Sequence, residues 1–288
     1  MQQVASIYHR KVGDIVVTAL CDGYLDTSYD ILQGITPKEG EKLMKNACLQ
    51  SPPRISVNAY VVRSQGRTAL IETGSGNSMG STLGHLNENL RAANITPQDI
   101  DKVLLTHMHP DHSNGLTTDD GKRIYPNSEI IVHENEIKHW SNDSEMARVD
   151  KRKQDRYFRA ARKQLEAYKQ QLSPFTGGGE VFPGVVAMPM TGHTPGHTAY
   201  LVTSGNDTLM IWGDIVHVPS IQIPHPEVTL DFDSDPHVAA ATRKRVLDMV
   251  STDQMLVGGM HLDFPGFGYV TSYGESYRFH AEPWKPLF

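Results

Sequence analysis

The stretch VLLTHMHPDHSNG, residues 103–115, carries His107, His109, Asp111 and His112 directly behind an apolar run. In an extended chain, residues two apart point the same way, so His107 and His109 can grip one ion together. Pro110 then forces a turn, which lets Asp111 and His112 address a second ion beside the first. Imidazole and carboxylate ligands suit Zn, Mn, Fe or Co, and the lack of thiolates argues against a sealed structural zinc site. A lone histidine is ordinarily a satisfied core or surface residue. Three within six positions, with an aspartate, behind a strand and ahead of a glycine, ask for another explanation.

Around this segment, β-branched runs at Ile15–Ala19, Ser56–Val62, Thr68–Ile71, Val103–Thr106, Glu129–His133, Val185–Met188, Ala199–Val202 and Thr208–Trp212 read as strands. Helical patterns cover Ser81–Ala93, Asn135–Trp140, a long charged stretch from about Asp143 to Leu172, and His237–Val250. The long stretch reads as a solvated amphipathic helix or, more sharply, as a lid or a dimer surface. The order is mixed α/β and opens with strand pairs. The chain has 288 residues, 39% of them hydrophobic, enough for a full core. The expectation is one domain over 1–288 with a helical insertion around 135–172. Cys21 and Cys48, the only cysteines, form no metal-binding spacing and are expected as reduced, buried thiols. A net charge of −6 speaks against a nucleic-acid or membrane-surface partner. With no long apolar window and no leader pattern, the expected location is cytoplasmic.

Further pieces occur in order: IETGSG with Glu72, Thr73 and Gly74; TGHTPGHTAY with His193 and His197; WGD with Asp214; GGMHLDFPG with His261. With the HxHxDH pattern of His107, His109, Asp111 and His112, they resemble the metallo-β-lactamase superfamily from about Val12 to Phe267. The resemblance implies a four-layer αβ/βα sandwich, an α/β (α+β) fold with two divalent metal ions at one edge between the sheets. It implies His107, His109 and His197 on the first ion, Asp111, His112 and His261 on the second, and Asp214 bridging both. His193 is then a supporting residue. Glu72 stands where the family usually has an aspartate, which leaves its supporting role open.

Such a site implies hydrolysis by a hydroxide shared between the ions, with zinc the expected metal. Neither cysteine falls in a motif, unlike the common class B β-lactamases, and the 27 residues after His261 are too few for the second domain of the superfamily's nucleases. PPRISVNAYVV around Asn58, GHTPGHTAY and MHLDFPGFGYV are similar to the branch of methyl parathion hydrolase, lactonases and aryl esterases. The expected substrate is a small-molecule lactone, activated ester or phosphotriester. The alternatives are a glyoxalase II-like thioesterase and an iron sulfur dioxygenase. The branch also suggests a homodimer. His217 occupies the place, three residues after Asp214, where acyl homoserine lactonases of this fold carry a tyrosine. Asp111, Asp214 and His217 are the candidate catalytic residues. Trp140, Phe158, Phe232, Phe264 and Phe267 could line an apolar pocket or pack in the core.

Overall fold

The computed structural model describes residues 4–286. Two seven-stranded sheets pack face to face. In spatial order the first holds Ile7–Val12, Ile15–Asp26, Arg54–Ser64, Arg67–Ile71, Lys102–Leu104, Glu129–His133 and Leu172–Phe175. The second holds Ser276–Ala281, Phe267–Tyr273, Leu256–Gly258, Asp207–Ile211, Thr198–Ser204, Val185–Pro189 and Gly179–Phe182. The Gly/Pro-rich segment around 176–178 carries the chain from one sheet to the other.

Strand Arg54–Ser64 shows why the layers number four. Tyr60 and Val62 face the core between the sheets, while Ala59 and Val61 face the helices outside. All four are fully buried, as expected of a central strand covered on both faces. Helices Leu86–Ala92, Glu134–Ser141 and Ala160–Ala167 cover the first sheet, and Pro236–Thr252 covers the second.

Each of the eight apolar runs contains a strand, but two helical expectations are corrected. The helix expected at Ser81–Ala93 begins only at Leu86, because Gly84 turns at φ +90° and the Asp22 carboxylate takes the Leu86 N–H. The stretch from Asp143 to Leu172 is not one helix. Asn142 caps Asp143–Ala147, Asp150 caps Lys151–Lys153, a π-helical turn spans Gln154–Arg159, and Ala160–Ala167 returns to α geometry. The cap oxygens take N–H groups that a continuous helix would give to carbonyls four residues back. Leu172 starts a strand beside Glu129–His133. The cysteines also depart from expectation: Cys21 is partly buried and Cys48 is exposed, in a left-handed turn (φ +57°) just beyond helix Pro37–Asn46. Among the described residues, no helix is long and apolar enough to cross a membrane.

Arg243, on Pro236–Thr252, is buried and donates to the carbonyls of Ile215, Pro226 and Val228, so one guanidinium ties down both ends of the loop that carries His217. Arg243→Met keeps the volume and strands these acceptors. The expected outcome is a loss of about 3 kcal/mol in urea unfolding of the chelated protein.

Candidate metal centre

The cluster forms where strands of both sheets end. His107 follows Lys102–Leu104, Asp214 follows Asp207–Ile211, and His261 follows Leu256–Gly258. Pro110 starts a short helix, Pro110–Ser113, just after the extended His109, so Asp111 and His112 swing away from the His107–His109 pair. Gly213 has φ +61°, and a Cβ there would sit 2.5 Å from His197 Nε2, so WGD needs its glycine.

Asp214 Oδ2 is the point of convergence. Five imidazole Nε2 atoms surround it: His217 at 2.9 Å, His112 at 3.2 Å, His193 and His261 at 3.3 Å, and His107 at 3.6 Å. Asp111 Oδ2 lies 3.5 Å from Nε2 of both His112 and His261. Three groups of ligand atoms lie close enough to share a cation: His107, His109, His193 and Asp214; Asp111, His112 and His261; Asp214, His217 and His261.

The rings are aimed from behind. His107 Nδ1 meets Thr106 Oγ1 at 3.0 Å, His193 Nδ1 donates to Asp233 Oδ1 at 2.7 Å, and His261 Nδ1 donates to the Ser56 carbonyl at 2.8 Å. Glu72 Oε2 lies 3.4 Å from His112 Nδ1, while Glu72 Oε1 accepts from the Thr106 amide. Glu72, whose role the motif alone leaves open, thus backs a cluster histidine. Holding the outer nitrogen of a ligating imidazole fixes both its tautomer and its direction.

The expectation that His197 is the third ligand of the first ion is corrected by this geometry. Its Nδ1 donates to the Met190 carbonyl and its Nε2 accepts the Asp214 N–H, each at 2.9 Å, so neither nitrogen is free. Burial, the largest influence, pushes its pKa down to about 3, which keeps the neutral form this pattern requires. His197 therefore positions the backbone of Asp214. His193 faces His109 instead, with Nε2 and Nδ1 3.0 Å apart, a separation that requires a proton or a cation between two ring nitrogens.

A metal fits these residues. His107 Nε2, His112 Nε2 and Asp214 Oδ1 are buried without a hydrogen bond, an expensive state for polar atoms in a dry interior. Burial also holds His107 and His109 well below the usual imidazole range, so both keep lone pairs to offer. His217 joins the cluster, its ring stacked on His261 at 4.7 Å, and burial lowers its pKa to about 4.

Sequence reading missed two supporting carboxylates. Asp233 aims His193. Glu136, fully buried, accepts from the amides of Met108 and Gly196 and from Trp140 Nε1, tying both histidine loops to one helix. The i, i+4 spacing of Glu136 and Trp140 was visible, but not what they hold. Asn58 and Tyr60 similarly clamp the His261 loop, both donating to the Gly259 carbonyl. Of the aromatic candidates, Phe232 lines the cleft above the cluster, Trp140, Phe158 and Phe267 are core, and partly buried Phe264 packs on the core between the sheets. That cleft encloses about 750 Å³.

The chain belongs to the metallo-β-lactamase superfamily, whose family model matches residues 52–261. It is similar to the crystal structure of AbOPH, a hydrolase in the β-lactamase superfamily, with 30% identity, TM-score 0.92 and coverage of 99% of this chain and 100% of that one. AidC, a dizinc quorum-quenching lactonase in complex with its product N-hexanoyl-L-homoserine, shares the fold at 23% identity and TM-score 0.93, with the same coverage. Among curated proteins it resembles YobT of Bacillus subtilis strain 168, 26% identical over 55% of this chain and 62% of that protein. It also resembles an atrochrysone carboxyl ACP thioesterase of Passalora fulva, 37% identical over 27% of this chain and 22% of that protein. The matches thus span under two thirds of these curated relatives.

The two histidines of GHTPGH predict different phenotypes. His193→Ala should lower metal content by about one ion per chain and also destabilise the chelated protein, because it takes the partner from the buried Asp233 carboxylate. His197→Ala should destabilise the chelated protein by about 2 kcal/mol, because it strands the Met190 carbonyl and the Asp214 amide, without costing an ion directly. Metal analysis with calorimetry checks both, and an ion lost from His197→Ala but not from His193→Ala would restore His197 as the ligand.

Proposed function

We propose that the protein is a dinuclear-metal hydrolase of lactones and esters. The observation that carries this reading is the convergence of five imidazoles on one buried carboxylate oxygen, with a second carboxylate beside two of them. In the assignment we favour, His107, His109 and His193 would hold the first ion, Asp111, His112 and His261 the second, and Asp214 would serve both. Two divalent cations held there, zinc by preference, would supply Lewis-acid polarisation of a carbonyl or phosphoryl oxygen and acidify water.

The chain's own residues supply orientation and enclosure. Asp214 is fixed twice, by its side chain among the imidazoles and by its amide on His197. Phe232 lies 5.5 Å from the His217 ring and 6.1 Å from the His109 ring, which makes one wall of the cleft apolar. His217 presents a polar ring at the cleft beside Asp214 and His261. Lactones, esters and phosphotriesters share an electrophilic centre flanked by oxygens, so the wall decides among them. Likeness to the fungal thioesterase favours a second reading, thioester hydrolysis, which needs the same site and a sulfur leaving group.

Metal analysis joined to a panel of γ- and δ-lactones, aryl acetates, a dialkyl aryl phosphotriester and an acyl thioester tests the proposal. Turnover should be lost on chelation and restored by zinc. A single iron with oxygen consumption on a persulfide would overturn the hydrolase reading. Asp214→Ala should remove more metal than loss of any terminal ligand, and a variant that kept two ions and full turnover would refute its shared position.

His217→Ala should keep both ions and lower lactone turnover about ten- to a hundredfold, the effect of one directed donor in a dry site. A bulky phosphotriester should lose less. Loss of an ion would instead make His217 a ligand.

A further inference from the structure

The π-helical turn Gln154–Arg159 separates two aromatic neighbours. A π turn widens the helical repeat and offsets the helix on its N-terminal side from the helix on its C-terminal side, and such turns occur often at functional sites. Phe158 is buried against Trp140, in one cluster with Ala161 and Leu165. Tyr157 packs on the edge of the same cluster, its ring 6.4 Å from that of Trp140, and reaches from there into the cleft. Its ring packs on that of His109 with centroids 4.9 Å apart, and it lines the cleft with Asp111, Asp214, His217 and His261.

Tyrosines buried in the core have committed hydroxyls. Tyr60, Tyr168 and Tyr200 donate to the carbonyls of Gly259, Leu116 and Leu105 at 2.9, 2.9 and 2.7 Å. The Tyr157 side chain is half-buried, and its hydroxyl makes no hydrogen bond to any described residue and opens on the cleft. A hydroxyl on the cleft wall with no protein partner, beside the histidine cluster, is available to donate to a bound molecule.

We propose that Tyr157 donates the hydrogen bond that steadies the leaving oxygen of the substrate, and that this favours alkyl esters and lactones over substrates with acidic phenol leaving groups. This rests on the hydrolase reading above. In the step, the water oxygen bonds to the acyl carbon, and the bond from that carbon to the leaving oxygen breaks with its electron pair staying on that oxygen. The proton lost by the water ends there, giving an alcohol and an acid. Tyr157 keeps its own proton and lends a hydrogen bond while charge builds on the leaving oxygen. An alkoxide carries charge poorly and gains most from a donor, whereas a nitrophenolate spreads its charge and gains little.

The test is a leaving-group series on zinc-loaded wild type, Tyr157→Phe and Tyr157→Ala: acetates of p-nitrophenol, phenol and trifluoroethanol, with γ-butyrolactone. Tyr157→Phe should retain both ions and the wild-type KM while kcat falls about tenfold for the poorest leaving groups and barely for p-nitrophenyl acetate. Tyr157→Ala should add a loss common to the whole series, because the ring also packs on His109. Calorimetry supplies a readout without turnover: Tyr157→Phe should weaken binding of 4-hydroxybutyrate, whose hydroxyl is the former leaving oxygen, and leave butyrate unchanged. An active wild type whose Tyr157→Phe variant shows no loss, or an equal loss across the series, overturns this inference alone. A wild type inert toward every ester and lactone overturns the hydrolase reading and this inference with it.

Discussion

Everything in this molecule answers to one buried oxygen, Asp214 Oδ2, with five imidazole nitrogens within 3.6 Å of it. Gathering so many polar groups out of water is costly unless each finds a partner, and one carboxylate cannot satisfy all of them. The arrangement persists because four of the five rings are held from behind. His107, His112, His193 and His261 each place the other ring nitrogen against Thr106, Glu72, Asp233 or the Ser56 carbonyl. With one nitrogen occupied behind, the other is left to the centre.

The supports come from distant parts of the chain and share one design: a buried charged or amide group that takes several backbone partners at once. Asp22 accepts from Ser75 and Leu86, Glu136 from Met108 and Gly196, and Arg243 gives to three carbonyls around the His217 loop. Each makes an irregular loop behave as part of the scaffold, because breaking one such group strands several backbone atoms together. The two sheets supply the frame, and the clustered histidines and aspartates sit on turns just past their strand ends, where side chains can meet across the sandwich.

The cleft is the less constrained half of the site. Its walls come from the His217 loop, the segment from Leu25 to Ile31 at and beyond the end of strand Ile15–Asp26, and the broken helical stretch after residue 142. By its spacing alone that stretch reads as one solvated helix, with a lid as the sharper possibility. Its caps and π turn make it a wall built residue by residue, with Phe158 buried in the core and Tyr157 packed on the edge of that core while lining the cleft.

The sequence by itself determined the mixed α/β class and most of the residues that the fold gathers around Asp214, because those signals are local. Histidines two and five positions apart behind an apolar strand, a glycine that must precede Asp214, and β-branched runs long enough to be strands are all legible within a few residues. Tertiary structure decided whatever depended on a partner far along the chain. His193 and His197 sit in one hexapeptide with equal credentials, and only Asp233, 40 residues away, and the Asp214 amide tell them apart. Asp233, Glu136 and Tyr157 were ordinary letters for the same reason. A side chain's chemistry is written in its type, but its direction is set by what stands behind it, and that neighbour is chosen by the fold.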